Sequence, residues 1–311
     1  AAQGGLPLAS RQGSGFGFGF GLGTRRRLAG LLFVLPAVAF VAVFFFVPLV
    51  LAAWVALHDW PLFGETAFVG FANFQKLLGD ETFWSSLWFT TRYALLVTPP
   101  IFLVAFALAM LVNRPGRAAG VFQTIFFLPF VVGFATACLL GYFLLNDRVG
   151  VINHTLRSVG LLDGSLLWLA TFDTTMAIIV AMVVWKTVGG TMILLLIGMH
   201  AIPDDLYQAA MVDGAGAWTR LRSITLPLLK RTFALALVLS ITGSYLAFEQ
   251  FYILTQGGPR NQTITVVYWI TNTAFIAFDV GYATTMAIVL LGLLVLLSCV
   301  QLFLLRDSTQ Y

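Results

Sequence analysis

Charge is what this sequence has least of: 17 Lys and Arg and 13 Asp and Glu in 311 residues, 10% of the chain. A soluble domain carries roughly 25% charged residues, so this composition excludes a water-soluble globular protein. Cysteine is nearly absent. Cys138 and Cys299 both lie in apolar runs and read as small buried hydrophobes, which excludes a disulfide scaffold. The histidines, His58, His154 and His200, are scattered with no ligand spacing, so no metal site is expected. Lysine occurs only at 76, 186 and 230, and none completes a G-x-x-x-x-G-K-[ST] phosphate loop. The chain therefore lacks that route to ATP hydrolysis. A net charge of +4 is explained by basic loops beside a membrane and gives no sign of nucleic acid.

What is present is apolar: 59% of residues are hydrophobic. With the bilayer as main solvent, each spanning backbone must satisfy its own hydrogen bonds, as helices or a closed barrel. Long charge-free runs select an all-α integral membrane protein, since barrel strands would alternate within short segments. Six runs meet the roughly 20-residue requirement for crossing. They lie at Leu28–Leu57, between Arg92 and Arg114, between Arg117 and Asp147, at Thr174–His200, at Thr232–Leu254 and at about 282–305.

With the N-terminus inside, eleven of the 17 Lys and Arg fall on the cytoplasmic side and five outside, leaving Lys186 in the membrane. Both termini and the 203–227 loop are thus expected in the cytoplasm. Residues 1–24, rich in Gly and Phe, are expected to form a mobile tail. Residues 25–306 would make the membrane domain, and 307–311 a short second tail. The charge-free stretch 261–278 carries threonines, Asn and Gln, and reads as a helix at the outer interface rather than a seventh span.

The loop before the fifth run is the most informative segment. Pro203, Asp204 and Asp205 suit the start of a helix, and Gln208-Ala209-Ala210 continues it. Gly214 turns the chain. A second helix follows with Trp218, Leu221, Ile224 or Thr225, and Leu228 at helical spacing, and Pro227 biases Leu226 away from helix. The pair reads as a glycine-hinged docking element.

Tyr207, Gln208-Ala209-Ala210, Asp213-Gly214-Ala215, Ile224 and Leu226-Pro227 resemble the cytoplasmic "EAA" loop of permease subunits in binding-protein-dependent ABC importers. Gln208 departs from the usual glutamate, so no salt bridge is assigned there. Leu254-Thr255-Gln256-Gly257-Gly258-Pro259 and Phe278-Asp279-Val280-Gly281-Tyr282-Ala283 are similar to the carbohydrate type, such as maltose and glycerol-3-phosphate permeases.

The resemblance implies a type I importer permease fold of six transmembrane helices with a coupling helix at about 204–212. It implies a bacterial inner membrane, a second homologous permease, an extracytoplasmic solute-binding protein and two ATPase subunits. ATP and Mg²⁺ would be bound by those ATPase subunits and no cofactor by this chain.

Polar groups inside the runs are candidates for a solute path; the other reading is aromatic residues at the membrane interface and a structural Lys186–Glu249 ion pair between helices. A charge at mid-membrane costs roughly 2.5–3.5 kcal/mol or more, so Lys186 and Glu249 stand out. Thr242, Tyr245, Glu249 and Tyr252 fall on one face if the fifth run is one helix, a stripe suited to a sugar's hydroxyls and C–H faces. Trp185 beside Lys186 and a flexible point at Gly189-Gly190 could form another wall. The alternative is an ion-coupled secondary transporter using Lys186 and Glu249, with the loop incidental. A membrane enzyme would need convergent acids, bases or metal ligands, and no such cluster is found.

Overall fold

A computed structural model describes residues 22–113, 116–164 and 166–304, and the chain divides into two units, 1–52 and 53–311. The expected tails, 1–24 and 307–311, lie outside the described residues, except that 22–24 already begin a helix. In the first unit, α1 (Leu22–Val41) passes through a π turn (Ala42–Phe46) into α2 (Val47–Ala56), whose last residues belong to the second.

The second unit opens with a small ribbon, β1 (His58–Asp59) antiparallel to β2 (Ala67–Phe68). Then come α3 (Ala72–Leu78), α4 (Glu81–Val112), α5 (Arg117–Val131), α6 (Phe134–Leu144) and α7 (Val151–Ser158). The long α8 (Phe172–His200) leads to α9 (Asp204–Val212), α10 (Ala217–Arg220), a second π turn (Leu221–Thr225) and α11 (Leu226–Leu228). The remainder is α12 (Lys230–Tyr245), α13 (Glu249–Leu254), α14 (Val266–Phe275) and α15 (Val280–Leu304).

Five described segments are long and apolar enough to cross a membrane: Gly30–Ala56, α4, α8, Lys230–Leu254 and α15. The third expected span is not straight, because α5 and α6 meet at a 91° bend. Pro129 withholds an amide in the last turn of α5, and the β-branched pair Val131-Val132 resists continuing the helix. Val132 (φ −64°, ψ 138°) and Gly133 (φ −56°, ψ 140°) are extended instead. Pro99 and Pro100, by contrast, are accommodated within the unbroken α4.

Leu226 is also helical (φ −62°, ψ −44°), contrary to the bias expected before Pro227. Each π turn ends two residues before a proline, Phe46 before Pro48 and Thr225 before Pro227. A proline ring clashes with the carbonyl four residues back, and the wider i→i+5 turn relieves that crowding without ending the helix.

The spine of the second unit is α4, which enters three apolar clusters in turn. Near the ribbon, Phe83 and Leu87 pack with Val266, Tyr282 and Met286. At mid-length, Phe89, Tyr93 and Val97 meet Ile179, Val183 and Phe251. At the far end, Ala105, Ala109 and Val112 meet Met192, Leu195 and Leu229. Within 261–278 the helix is α14, 10 residues long. That is about 15 Å, half of a bilayer's hydrocarbon, so it cannot span.

Polar bonds fasten the ribbon end. The Asp80 carboxylate caps α4 by accepting from Phe83 N–H (2.9 Å), and also accepts from Tyr282 O–H (2.7 Å) and Trp269 Nε1–H (3.2 Å). Burial alone would raise its pKa. The bonds from Tyr282, Phe83 and Trp269 together outweigh that and hold the carboxyl below its ordinary value. Lys76 Nζ donates to Asp279 at 2.8 Å, and Asp279 accepts from Tyr282 N–H at the start of α15. Gly281 is required here, since a Cβ would strike the His58 backbone carbonyl.

Candidate coupling loop and membrane cavity

The loop between α8 and α12 forms at the end of the unit opposite the ribbon. Asp204 and Asp205 occupy the first turn of α9, where the helix dipole favours negative charge. At its end, Ala215 N–H bonds to Ala210 C=O (2.8 Å) and Gly214 N–H to Met211 C=O (3.1 Å), with Gly214 at φ +78°. This is a Schellman closure, which needs a left-handed residue at that position. Gly214 is thus a bonded C-cap, and the glycine hinge expected from sequence is a fixed corner.

Tyr207 is the loop's anchor. It is half-buried against the cluster containing Leu229, and its hydroxyl bonds to Thr225 Oγ1 at 3.0 Å, tying α9 to the π turn. Ile224 packs into the same cluster, while Ala210 and Ala215 are half-buried. Gln208, Ala209, Asp213, Leu226 and Pro227 are exposed. The exposed set also holds large apolar side chains that the motif did not single out: Leu206 (44%), Met211 (52%) and Val212 (89%). Their signal was present as apolar residues on a short polar helix.

In the membrane portion, a cavity of about 620 Å³ lies among α4, α5, the start of α6, α8, α12 and α13. Tyr93, Thr187, Thr191, Ser240, Ser244 and Gln250 give it polar points, and Phe127, Phe130 and Phe134 give it aromatic faces. Gln250 is 3% exposed and its Nε2 donates to Tyr93 Oη at 3.2 Å. Sequence reading missed Gln250 because it treated 232–254 as one helix.

None of the six side chains expected on the solute path lines this cavity. The chain breaks at 246–248 between α12 and α13, so Thr242, Tyr245, Glu249 and Tyr252 do not share a continuous helix face. Tyr245 turns inward to Thr91 Oγ1 (2.9 Å), Tyr252 stacks on Phe248 (ring centroids 4.9 Å apart), and Glu249 starts α13, whose positive end suits a carboxylate. Trp185 is 47% exposed.

Lys186 is 5% exposed and donates to the Phe130 carbonyl at 2.9 Å, with the Phe130 and Phe134 rings 5.3 and 5.6 Å away. It thereby satisfies a carbonyl in the last turn of α5, at the bend. No Lys186–Glu249 ion pair occurs among the described residues. The expected flexible point is also corrected: α8 runs unbroken through Gly189-Gly190. Those glycines instead admit the α5 backbone and the Phe130 ring.

Residues 77–309 match the family described as binding-protein-dependent transport system inner membrane component. Over 274 residues the chain is 31% identical to a probable ABC transporter permease of Bacillus subtilis, covering 87% of this chain and 94% of that one. It is 32% identical to a trehalose/maltose transport system permease of Thermococcus litoralis, covering 88% and 92%, and 30% identical to a lactose transport system permease of Rhizobium radiobacter, covering 89% and 94%. A chain of a bacterial ABC transporter importing the acidic polysaccharide alginate has the same fold, with TM-score 0.78, 22% identity and coverage of 92% and 98%.

Proposed function

Because the chain belongs to the binding-protein-dependent transport system inner membrane components, we propose that it is the membrane subunit of an ATP-driven sugar importer, with α9 as its coupling helix. The observation that carries this reading is the α9 corner, where Tyr207 and Gly214 fix a short helix whose Leu206, Met211 and Val212 side chains stand exposed. A groove on a separate ATPase subunit covers that apolar face. Two such subunits bind the ATP and Mg²⁺, and this chain hydrolyses nothing itself. Closure of the pair on ATP moves α9, and through Tyr207–Thr225 and α11 the motion reaches α12 and the cavity wall.

The solute is a sugar. Relatives named for trehalose/maltose and lactose transport support this, as do hydroxyl and amide groups facing aromatic rings, the pairing that suits a sugar's rim and faces. A second, homologous permease completes the pathway, and an extracytoplasmic binding protein delivers solute at the ribbon end. Residues 25–306 act as one membrane domain in a bacterial inner membrane. Both termini lie in the cytoplasm, in keeping with the Lys and Arg bias. The ion-coupled alternative has less support, because Lys186 bonds to the Phe130 carbonyl and makes no pair with Glu249.

Gln250→Leu tests the cavity assignment. Removing one amide that contacts solute hydroxyls is expected to lower sugar uptake about tenfold, with membrane abundance and basal ATPase activity unchanged. Glu249→Gln, one residue earlier, is expected to leave uptake intact. Radiolabelled uptake in vesicles distinguishes the two, and normal uptake by Gln250→Leu would remove that side chain from the path.

A further inference from the structure

At the ribbon end of α4, two cavities adjoin. One, about 730 Å³, has polar walls that include Thr82, Ser85, Asn261 and Gln262. The other, about 480 Å³, lies between α4 and α8 over Leu96, Met176, Ala177 and Val180. Phe89, Arg92 and Phe172 belong to both walls, and Asp173 lines the second. Polar space thus meets apolar space at a guanidinium.

Arg92 is exposed, its guanidinium carbon stands 5.8 Å from the centre of the Trp88 ring, and it forms no ion pair among the described residues. Asp173, in the same groove, forms none either. Arg92 also marks a depth. Residues 93–113 after it are uncharged, and that run spans about 32 Å as helix, one hydrocarbon thickness. Trp84 and Trp88, on the ribbon side of Arg92, are 42% and 60% exposed, as in an interfacial aromatic belt. The cation is therefore at the level of lipid phosphates, with an apolar trough beneath it.

We propose that these adjoining cavities bind one zwitterionic aminophospholipid. Its phosphate sits on Arg92, its ammonium on Asp173, and one acyl chain lies along Leu96, Ala177 and Val180. A guanidinium matches phosphate by charge-assisted hydrogen bonds, and a primary ammonium can donate to Asp173 where a quaternary one cannot. A neutral sugar offers no charge to either group and nothing to fill the trough. The site shares only Tyr93 with the lining of the solute cavity and does not depend on which sugar is carried.

The test uses the complete transporter, equilibrated in vesicles of equal parts phosphatidylethanolamine, phosphatidylcholine and phosphatidylglycerol, then extracted in mild detergent for native mass spectrometry. The wild type is expected to retain phosphatidylethanolamine over the other two. Arg92→Gln is expected to cut retained phospholipid about tenfold, and Arg92→Lys to restore part of it. Asp173→Asn is expected to keep phospholipid but lose the preference for the primary amine, and Ala177→Trp, at an exposed position of the trough, to exclude the chain. Membrane abundance equal to wild type shows that each variant has folded. Equal lipid retention by wild type and Arg92→Gln overturns the proposal, as does crosslinking that places Arg92 against the second permease.

Discussion

Gly189→Ala is expected to deplete the folded protein from the membrane, at a cost on the order of 3 kcal/mol. A Cβ at 189 would lie 2.7 Å from Phe127 Cα and closer still to the Phe126 carbonyl oxygen. Both obstacles are backbone, so no rotamer change relieves them and α5 must move off α8. That movement also separates Lys186 from the Phe130 carbonyl and opens the bend beside the cavity. For Gly190→Ala the nearest atoms belong to the Phe130 ring, at 2.6–3.0 Å, a side chain rather than backbone, so a smaller loss is expected. Gly292→Ala meets nothing within 4 Å inside α15, and there the alanine should stabilise by about 0.5–1 kcal/mol through helix propensity. Membrane abundance and thermal denaturation of the detergent-solubilised protein check the order. Equal stability of Gly189→Ala and wild type would show that α5 and α8 do not pack as described.

Met211→Glu is expected to abolish transport without harming the fold. Met211 is 52% exposed on α9, so a carboxylate there remains solvated in the isolated subunit. Docked in an apolar groove, the same carboxylate is buried without a partner. Such a charge costs several kcal/mol, enough to weaken association and uptake by about 100-fold or more. The expected signature is normal membrane abundance, loss of ATPase subunits on purification, and uptake at background. Full uptake by this variant would mean that α9 does not carry the coupling contact.

Much of this architecture was legible because the bilayer imposes simple demands. Uncharged runs of sufficient length became helices at Gly30–Ala56, α4, α8 and α15. The glycine-punctuated loop became α9 and its turn with the expected 204–212 boundary. Tertiary geometry hid the remainder. The break after Pro129 is set partly by Lys186 arriving from α8, 56 residues away, to satisfy a carbonyl. Likewise, one break after Tyr245 exchanged the roles of adjacent residues: Gln250 faces the cavity, and Glu249 begins a new helix. A polar stripe drawn on an ideal helix cannot anticipate such a shift. Pro227 shows the same limit, since a π turn absorbs it where propensity favoured a break.

The most direct measurement is sugar uptake by proteoliposomes containing this chain, with the second permease, ATPase subunits and binding protein added or withheld in turn. Transport is expected only when the ATPase subunits are present with internal ATP and Mg²⁺, and an ion-gradient uncoupler should leave it unchanged. Accumulation by this chain without any ATPase subunit, collapsing on addition of the uncoupler, would contradict the coupling role given to α9.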